Sequence, residues 1–247
     1  MRTLTMALSL LPLCPALALA EAAAPVPSYS ADRDAYQASR ATSPGPALTP
    51  ADRAVMDQAA RDLAAAMPDP GLHVGETAPD FTLPNAVGES VPLAALLRTG
   101  PVVLVFYRGA WCPYCNLQLH GLRQALPEIE RQGARLVAIT PQTPDRSRTQ
   151  VEQDGYPFEI LSDLDDRVMT AYRLAFEVPA ALREVYRQRL SLDLADYNGA
   201  GRFVLPVPAT FVIDRQGVVR FVAAEVDYRN RAEPSAILAA LRALATD

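Results

Sequence analysis

The chain has 247 residues, half of them hydrophobic, and a formal net charge of −5. That length suits one domain with extensions, or at most two domains, and the apolar half is enough for a sizeable core. The acidic balance lacks the basic footprint of a nucleic-acid binder, although all 23 cationic side chains are Arg and none is Lys.

Residues 1–20 have the form of a secretory signal. Arg2 supplies the positive start, Met6 to Leu13 the apolar stretch, and Ala18-Leu19-Ala20 the small-x-small cleavage rule. Cleavage near Ala20 would leave a secreted or periplasmic chain. The apolar stretch is too short to span a bilayer, and no later segment reaches that length. Leu11-Pro12-Leu13 before Cys14 argues against a lipid-modified cysteine. Removal of the signal takes Cys14 with it and leaves 22 Arg against 28 acidic residues, a formal charge of −6.

Residues 21–48, rich in Ala, Pro and Ser, read as a flexible leader. Residues 49–73 form an N-terminal extension with a helix over 50–67, capped by Thr49 and started by Pro50. The main domain is expected over 74–247. Phe81 to Leu83 is extended, and Val91 to Leu97 can hold a short helix. Val102 to Tyr107 is a continuous apolar run, as in a strand buried on both faces. Cys112 to about Arg131 is helical, with Pro127 expected to kink or bound it. Strands at 136–139 and 158–161 alternate with helices at 146–152 and 165–174. Residues 178–206 fit neither period. A hairpin at 210–213 and 218–222 turns around Asp214 to Gly217, and Pro234 to Leu244 closes the chain as a helix. This order predicts an α/β fold, a central mixed sheet with helices on both faces.

The chemistry concentrates at Cys112-Pro113-Tyr114-Cys115. The motif lies where a buried strand ends and a helix begins, and the positive end of that helix favours an anion. A thiol there ionises more readily, and the thiolate is the reactive form. Two intervening residues leave the second sulfur close enough to attack a mixed disulfide. Pro113 suits a first helical turn. Arg108 can add positive potential or be a structural Arg, and Trp111 can shield the sulfurs or simply pack. The Cys112–Cys115 loop is too short to act as a staple. A zinc site needs about four ligands, whereas the mature chain has two Cys, His73 and His120. Asn116 stands where haem attachment wants a His. No metal is expected, and no cofactor beyond the redox-active Cys112–Cys115 disulfide. His120 reads as a surface or supporting residue, and His73 is given no role.

Phe106 to Leu119 resembles the peroxiredoxin-like subgroup of the alkyl hydroperoxide reductase/thiol-specific antioxidant family. Gly75 to Phe81 resembles the usual opening of that domain, and Pro206 to Asp214 its later strand. The resemblance covers about residues 74–245 and implies a thioredoxin-like fold and thiol-based redox chemistry. Its departures matter. Registered on Phe106-Tyr107, Arg108 stands where the family has Pro, Cys112 where it has Thr, and Cys115 at the peroxidatic position. Pro208 replaces the family's Arg before the later strand and matches the cis-proline of thioredoxins, so a cis peptide is expected there. Thioredoxin logic makes Cys112 the attacking thiol; peroxiredoxin registration makes it Cys115. The segment from Tyr186 to Leu205 resembles the subgroup's insertion, and Asp227-Tyr228 and Arg231 look like subgroup features without a stated role. The resemblance implies peroxide reduction through a Cys112/Cys115 cycle. The alternative is an oxidoreductase acting on protein disulfides. Either reading calls for an external thiol reductant, such as a thioredoxin-like protein.

Overall fold

The structure, a computed structural model, describes residues 25–43, 45 and 47–245. The signal sequence, its cleavage point and Cys14 lie outside the described residues. Among them, no helix is long and apolar enough to cross a membrane.

Two helices precede the sheet: α1 (Tyr29–Thr42) and α2 (Pro50–Ala66). The short strands β1 (Thr82–Pro84) and β2 (Ser90–Pro92) pair antiparallel and lead into α3 (Leu93–Thr99). The central elements follow as β3 (Val102–Phe106), α4 (Pro113–Arg131), β4 (Arg135–Thr140), α5 (Pro144–Asp154) and β5 (Glu159–Ser162). After α6 (Arg167–Ala171) come β6 (Ala175–Glu177), α7 (Ala180–Leu190), α8 (Ala195–Asn198) and β7 (Val204–Pro206). The hairpin β8 (Ala209–Ile213) and β9 (Val219–Ala224) precedes the last helix, α9 (Pro234–Leu244).

The main sheet has the order β5-β4-β3-β8-β9, with β3, β4 and β5 parallel and β8 and β9 antiparallel. This is the expected mixed sheet. Successive side chains of β3 point to opposite faces, so Val102, Leu104 and Phe106 enter one core while Val103 and Val105 enter the other. The second core is closed by α4 and α9. Cys115, Leu119, Leu122, Leu126 and Ile129 recur at helical spacing on the buried side of α4. That stripe fixes which side of the Cys-x-x-Cys turn faces the protein.

Several expectations are corrected. The segment read as a flexible leader over 21–48 contains α1. Its sequence is mostly polar and only Tyr29 is fully buried; hydrogen bonds to a distant element hold its start. Glu233 accepts from the Tyr29 and Ser30 amides at 2.9 and 2.8 Å, and the Tyr29 hydroxyl donates to the Arg229 carbonyl at 2.6 Å. A carboxylate on the free amides of a helix start is a favoured pairing. Residues 178–206, expected to be irregular, hold α7 and α8. The apolar face of α7 is three residues, Leu182, Val185 and Tyr186, too short to stand out in the sequence. It packs with Val178, Leu192, Leu194 and Leu205 in a third core, against which Val55, Met56 and Ala59 of α2 rest. α4 runs through Pro127 without ending, and α6 is shorter than the helix expected over 165–174. The helix expected at 50–67 forms with a complete capping box between Thr49 and Asp52.

Glu233 is the acceptor for two α1 amides, so Glu233→Ala is expected to weaken α1 docking by about 1–3 kcal/mol. Hydrogen exchange checks this: amides of 29–42 should exchange faster while those of β3 and β4 keep wild-type protection. Unchanged exchange in α1 would mean that the clasp contributes nothing.

Candidate active site

The loop from Tyr107 to Cys112 leaves the carboxyl end of β3 and delivers both cysteines to the start of α4. Gly109 makes the path possible. Its φ is +152°, and a Cβ there would meet Trp111 Nε1 at 2.4 Å. Side-chain amides then fix the loop. The Ala110 amide donates to Gln142 Oε1 at 2.8 Å, and Asn116 Nδ2 donates to the Ala110 carbonyl at 2.7 Å. Tyr107 donates to Gln150 Oε1 at 2.8 Å, and Gln150 Nε2 donates to Asn116 Oδ1 at 3.3 Å. Cys112 is the N-cap of α4, Pro113 occupies its first turn, and the Cys115 amide donates to the Cys112 carbonyl at 3.1 Å.

Both cysteines are free thiols and both are buried, at 1% and 0% exposure for Cys112 and Cys115. Their environments pull them apart. Burial pushes the Cys112 thiol well up, and its hydrogen bond to Cys115 and the charge on Cys115 push the same way. Burial opposes ionisation of Cys115 too. Yet the Cys112 hydrogen bond, the Arg231 and Arg108 guanidinium groups and the Arg108 backbone N–H outweigh it and hold Cys115 down at about 5. These surroundings favour the anion on Cys115 and the proton on Cys112. Arg231 Nη2 stands 3.5 Å from Cys115 Sγ. Its Nη1 donates to the carbonyls of Tyr228 and Asn230, which fixes the guanidinium in the β9–α9 loop.

Arg108 is 5% exposed. Its Nη2 donates to the Tyr186 hydroxyl at 2.9 Å, and its guanidinium lies 4.8 Å from the Trp111 ring centre and 4.5 Å from that of Tyr228. Tyr114, inside the motif, packs edge-on between Tyr36 of α1 and Tyr228, at 5.4 and 5.6 Å. A cavity of about 330 Å³ opens beside Arg108, walled by α2, the start of α7, Tyr228 and Pro208.

The structure thus brings together Cys112, Cys115, Arg108, Trp111 and Pro113, the residues singled out in the sequence. Pro208 lines the neighbouring cavity, but its expected cis peptide is absent: no cis bond occurs among the described residues. His120 is half exposed, 4.0 Å from Asp154, and His73 pairs with Asp69 at the surface. Three site residues were not assigned from the sequence. Arg231 and Tyr228 carried only a resemblance and Tyr186 only opened the segment likened to an insertion; Tyr186 and Tyr228 reach Arg108 from elements far along the chain.

These features define a thiol redox protein with a helix-capping dithiol on a mixed sheet. The AhpC/TSA family model matches residues 74–222, more than half of the chain, and the protein belongs to that family. Alkyl hydroperoxide reductase E of Mycobacterium tuberculosis is 31% identical over 150 residues, 61% of this chain and 84% of that protein. Peroxiredoxin Bcp of Escherichia coli is 36% identical over 97 residues, 39% of this chain and 62% of that protein. A further Mycobacterium tuberculosis relative is 38% identical over 101 residues, and the match likewise spans less than two thirds of its length, 64%. Among solved structures, peroxidoxin BcpB from Mycobacterium tuberculosis superposes with a TM-score of 0.56 at 25% identity, covering 70% of this chain and 98% of that one. The fold is that of the thioredoxin-like superfamily.

An opposite charge within about 4–6 Å lowers a thiol's titration by about 1–3 pH units. Arg231→Met is therefore expected to move the Cys115 titration upward by about that amount, read as thiolate absorbance near 240 nm against pH. An unchanged midpoint would assign the thiolate to other groups.

Proposed function

We propose that the protein is a thiol peroxidase in which Cys115 attacks the peroxide and Cys112 resolves. One observation carries the assignment: Arg231 Nη2 lies 3.5 Å from Cys115 Sγ, so its charge favours the anion on that sulfur rather than on Cys112. The family membership and the peroxiredoxin relatives support the reaction class.

In the first step the Cys115 thiolate attacks the terminal peroxide oxygen and the O–O bond breaks. Cys115 becomes a sulfenic acid, and the leaving oxygen takes the Cys112 proton to give an alcohol or water. The Cys112 thiolate so formed attacks the Cys115 sulfur. The S–S bond forms, and hydroxide leaves and takes a proton from solvent. An external dithiol then reduces the disulfide and is itself oxidised. Arg231 and the Arg108 N–H favour the anion before attack and the developing charge during it. The alternative, attack on protein disulfides led by Cys112, fits less well, because the Cys112 thiol is pushed toward the protonated form. No metal or organic cofactor enters this scheme. Arg2, the apolar stretch that follows and Ala18-Leu19-Ala20 support placing it outside the cytoplasm.

Trp111 is the single Trp and sits against Arg108, so its fluorescence reports on the site. In stopped-flow mixing with hydrogen peroxide, Cys115→Ser should lose the fast phase. Cys112→Ser should keep an oxidation that stops at the sulfenic acid. A fast phase that survives in Cys115→Ser would reverse the assignment, and oxidation of the wild type no faster than a free thiol would remove the peroxidase reading.

The rate should also follow the thiolate. Cys115 is held below its ordinary value, so oxidation should be flat near neutral pH and fall as pH drops through about 5. A rate still rising between pH 7 and 9 would contradict this.

A further inference from the structure

Arg108 brings a second buried positive charge to the site. Cys115 Sγ is faced by Arg231 Nη2 at 3.5 Å. The groups acting on Arg108 are Tyr186, Tyr228 and the two cysteines rather than a carboxylate, and its Nε has no hydrogen-bond partner. A buried cation normally has an anionic partner, because desolvation of an unpaired charge is costly. Here two guanidinium groups act on one sulfur, and the one without its own anion lines the 330 Å³ cavity. That volume falls in the range of small-molecule sites, about 300–1,000 Å³.

The remaining walls are apolar. Met56 and Leu63 of α2 face Phe176, Leu182 and Val226 across the cavity. α2 has no fully buried residue; Met56 and Ala59 rest against the third core and also line the cavity. This helix lies outside residues 74–222, so one wall of the cavity comes from outside the segment that matches the family. Two carboxylates, Asp62 and Glu177, also line it, both on exposed residues. They would repel a second negative group on the same ligand.

We propose that this cavity binds an apolar monocarboxylate, an alkyl-chain acid whose carboxylate pairs with Arg108 and whose tail lies along Met56, Leu63, Phe176 and Leu182. The Arg108 guanidinium lines the cavity, and guanidinium suits this anion geometrically. The proposal is independent of peroxide reduction, because binding needs no change of redox state.

The test is calorimetric titration of decanoate into the reduced full-length protein without peroxide. One saturable site is expected. Decanol, with the same tail and no charge, should bind at least ~10-fold more weakly, and Arg108→Met should weaken decanoate by at least the same factor. Ala59→Trp, on the cavity side of α2 and away from the sulfurs, should remove binding by filling the space. Because Arg108→Met removes a buried charge near the thiols, the decanol comparison on the wild type and the Ala59→Trp variant stand independently of its folding. No heat with decanoate, equal affinity for decanol, or unchanged binding in Ala59→Trp would each overturn the proposal.

Discussion

A buried sulfur that positive groups from distant segments hold toward its anionic form is the constraint around which this protein is arranged. Removing a thiolate from water costs several kcal/mol, and a single charge pair at 4 Å returns about 4 kcal/mol at an effective dielectric of ~20. One guanidinium would about break even. Cys115 has two, together with the Cys112 thiol, a backbone N–H and the first turn of α4. Each donor comes from a different stretch of chain: Arg108 from the end of β3, Cys112 from the cap of α4, and Arg231 from the loop after β9. The thiolate therefore reports on the assembly of the whole domain rather than on the motif alone.

The segments before the family domain take part in that assembly. α1 hangs from Glu233 and Arg229, next to Arg231, and its Tyr36 packs on Tyr114 inside the motif. It thereby pins the loop that carries the guanidinium. α2 docks on α7 through Met56 and Ala59 and through the Asp52–Arg189 ion pair at 2.9 Å. α7 in turn carries Tyr186, whose hydroxyl holds Arg108. Both helices bury little surface of their own, yet each steadies a residue that touches the site.

In the registration that the resemblance implies, Arg108 stands at a Pro position and Pro208 at an Arg position; in the structure a buried positive charge comes from Arg108 in the loop before the cysteines. Arg231 adds a second charge from the far end of the chain. Aromatic faces rather than carboxylates surround Arg108, which leaves its field directed at the sulfurs and the neighbouring cavity.

Much of this was legible in the sequence. The continuous apolar run at β3 and the helical stripe Cys115-Leu119-Leu122-Leu126-Ile129 set the sheet, the helix and the place of the Cys-x-x-Cys turn, because local periodicity is read within one element. α1 was hidden, since its sequence is mostly polar and its start is held by contacts to Glu233 about 200 residues away. α7 was hidden because its face is three residues long. The sequence also left open which cysteine ionises: the two share one helix turn and one local motif. That choice rests on Arg231, Arg108 and the depth of burial, and charge and solvent exclusion become decided only when distant segments meet. Tertiary structure alone set the Arg231 guanidinium against Cys115 rather than Cys112.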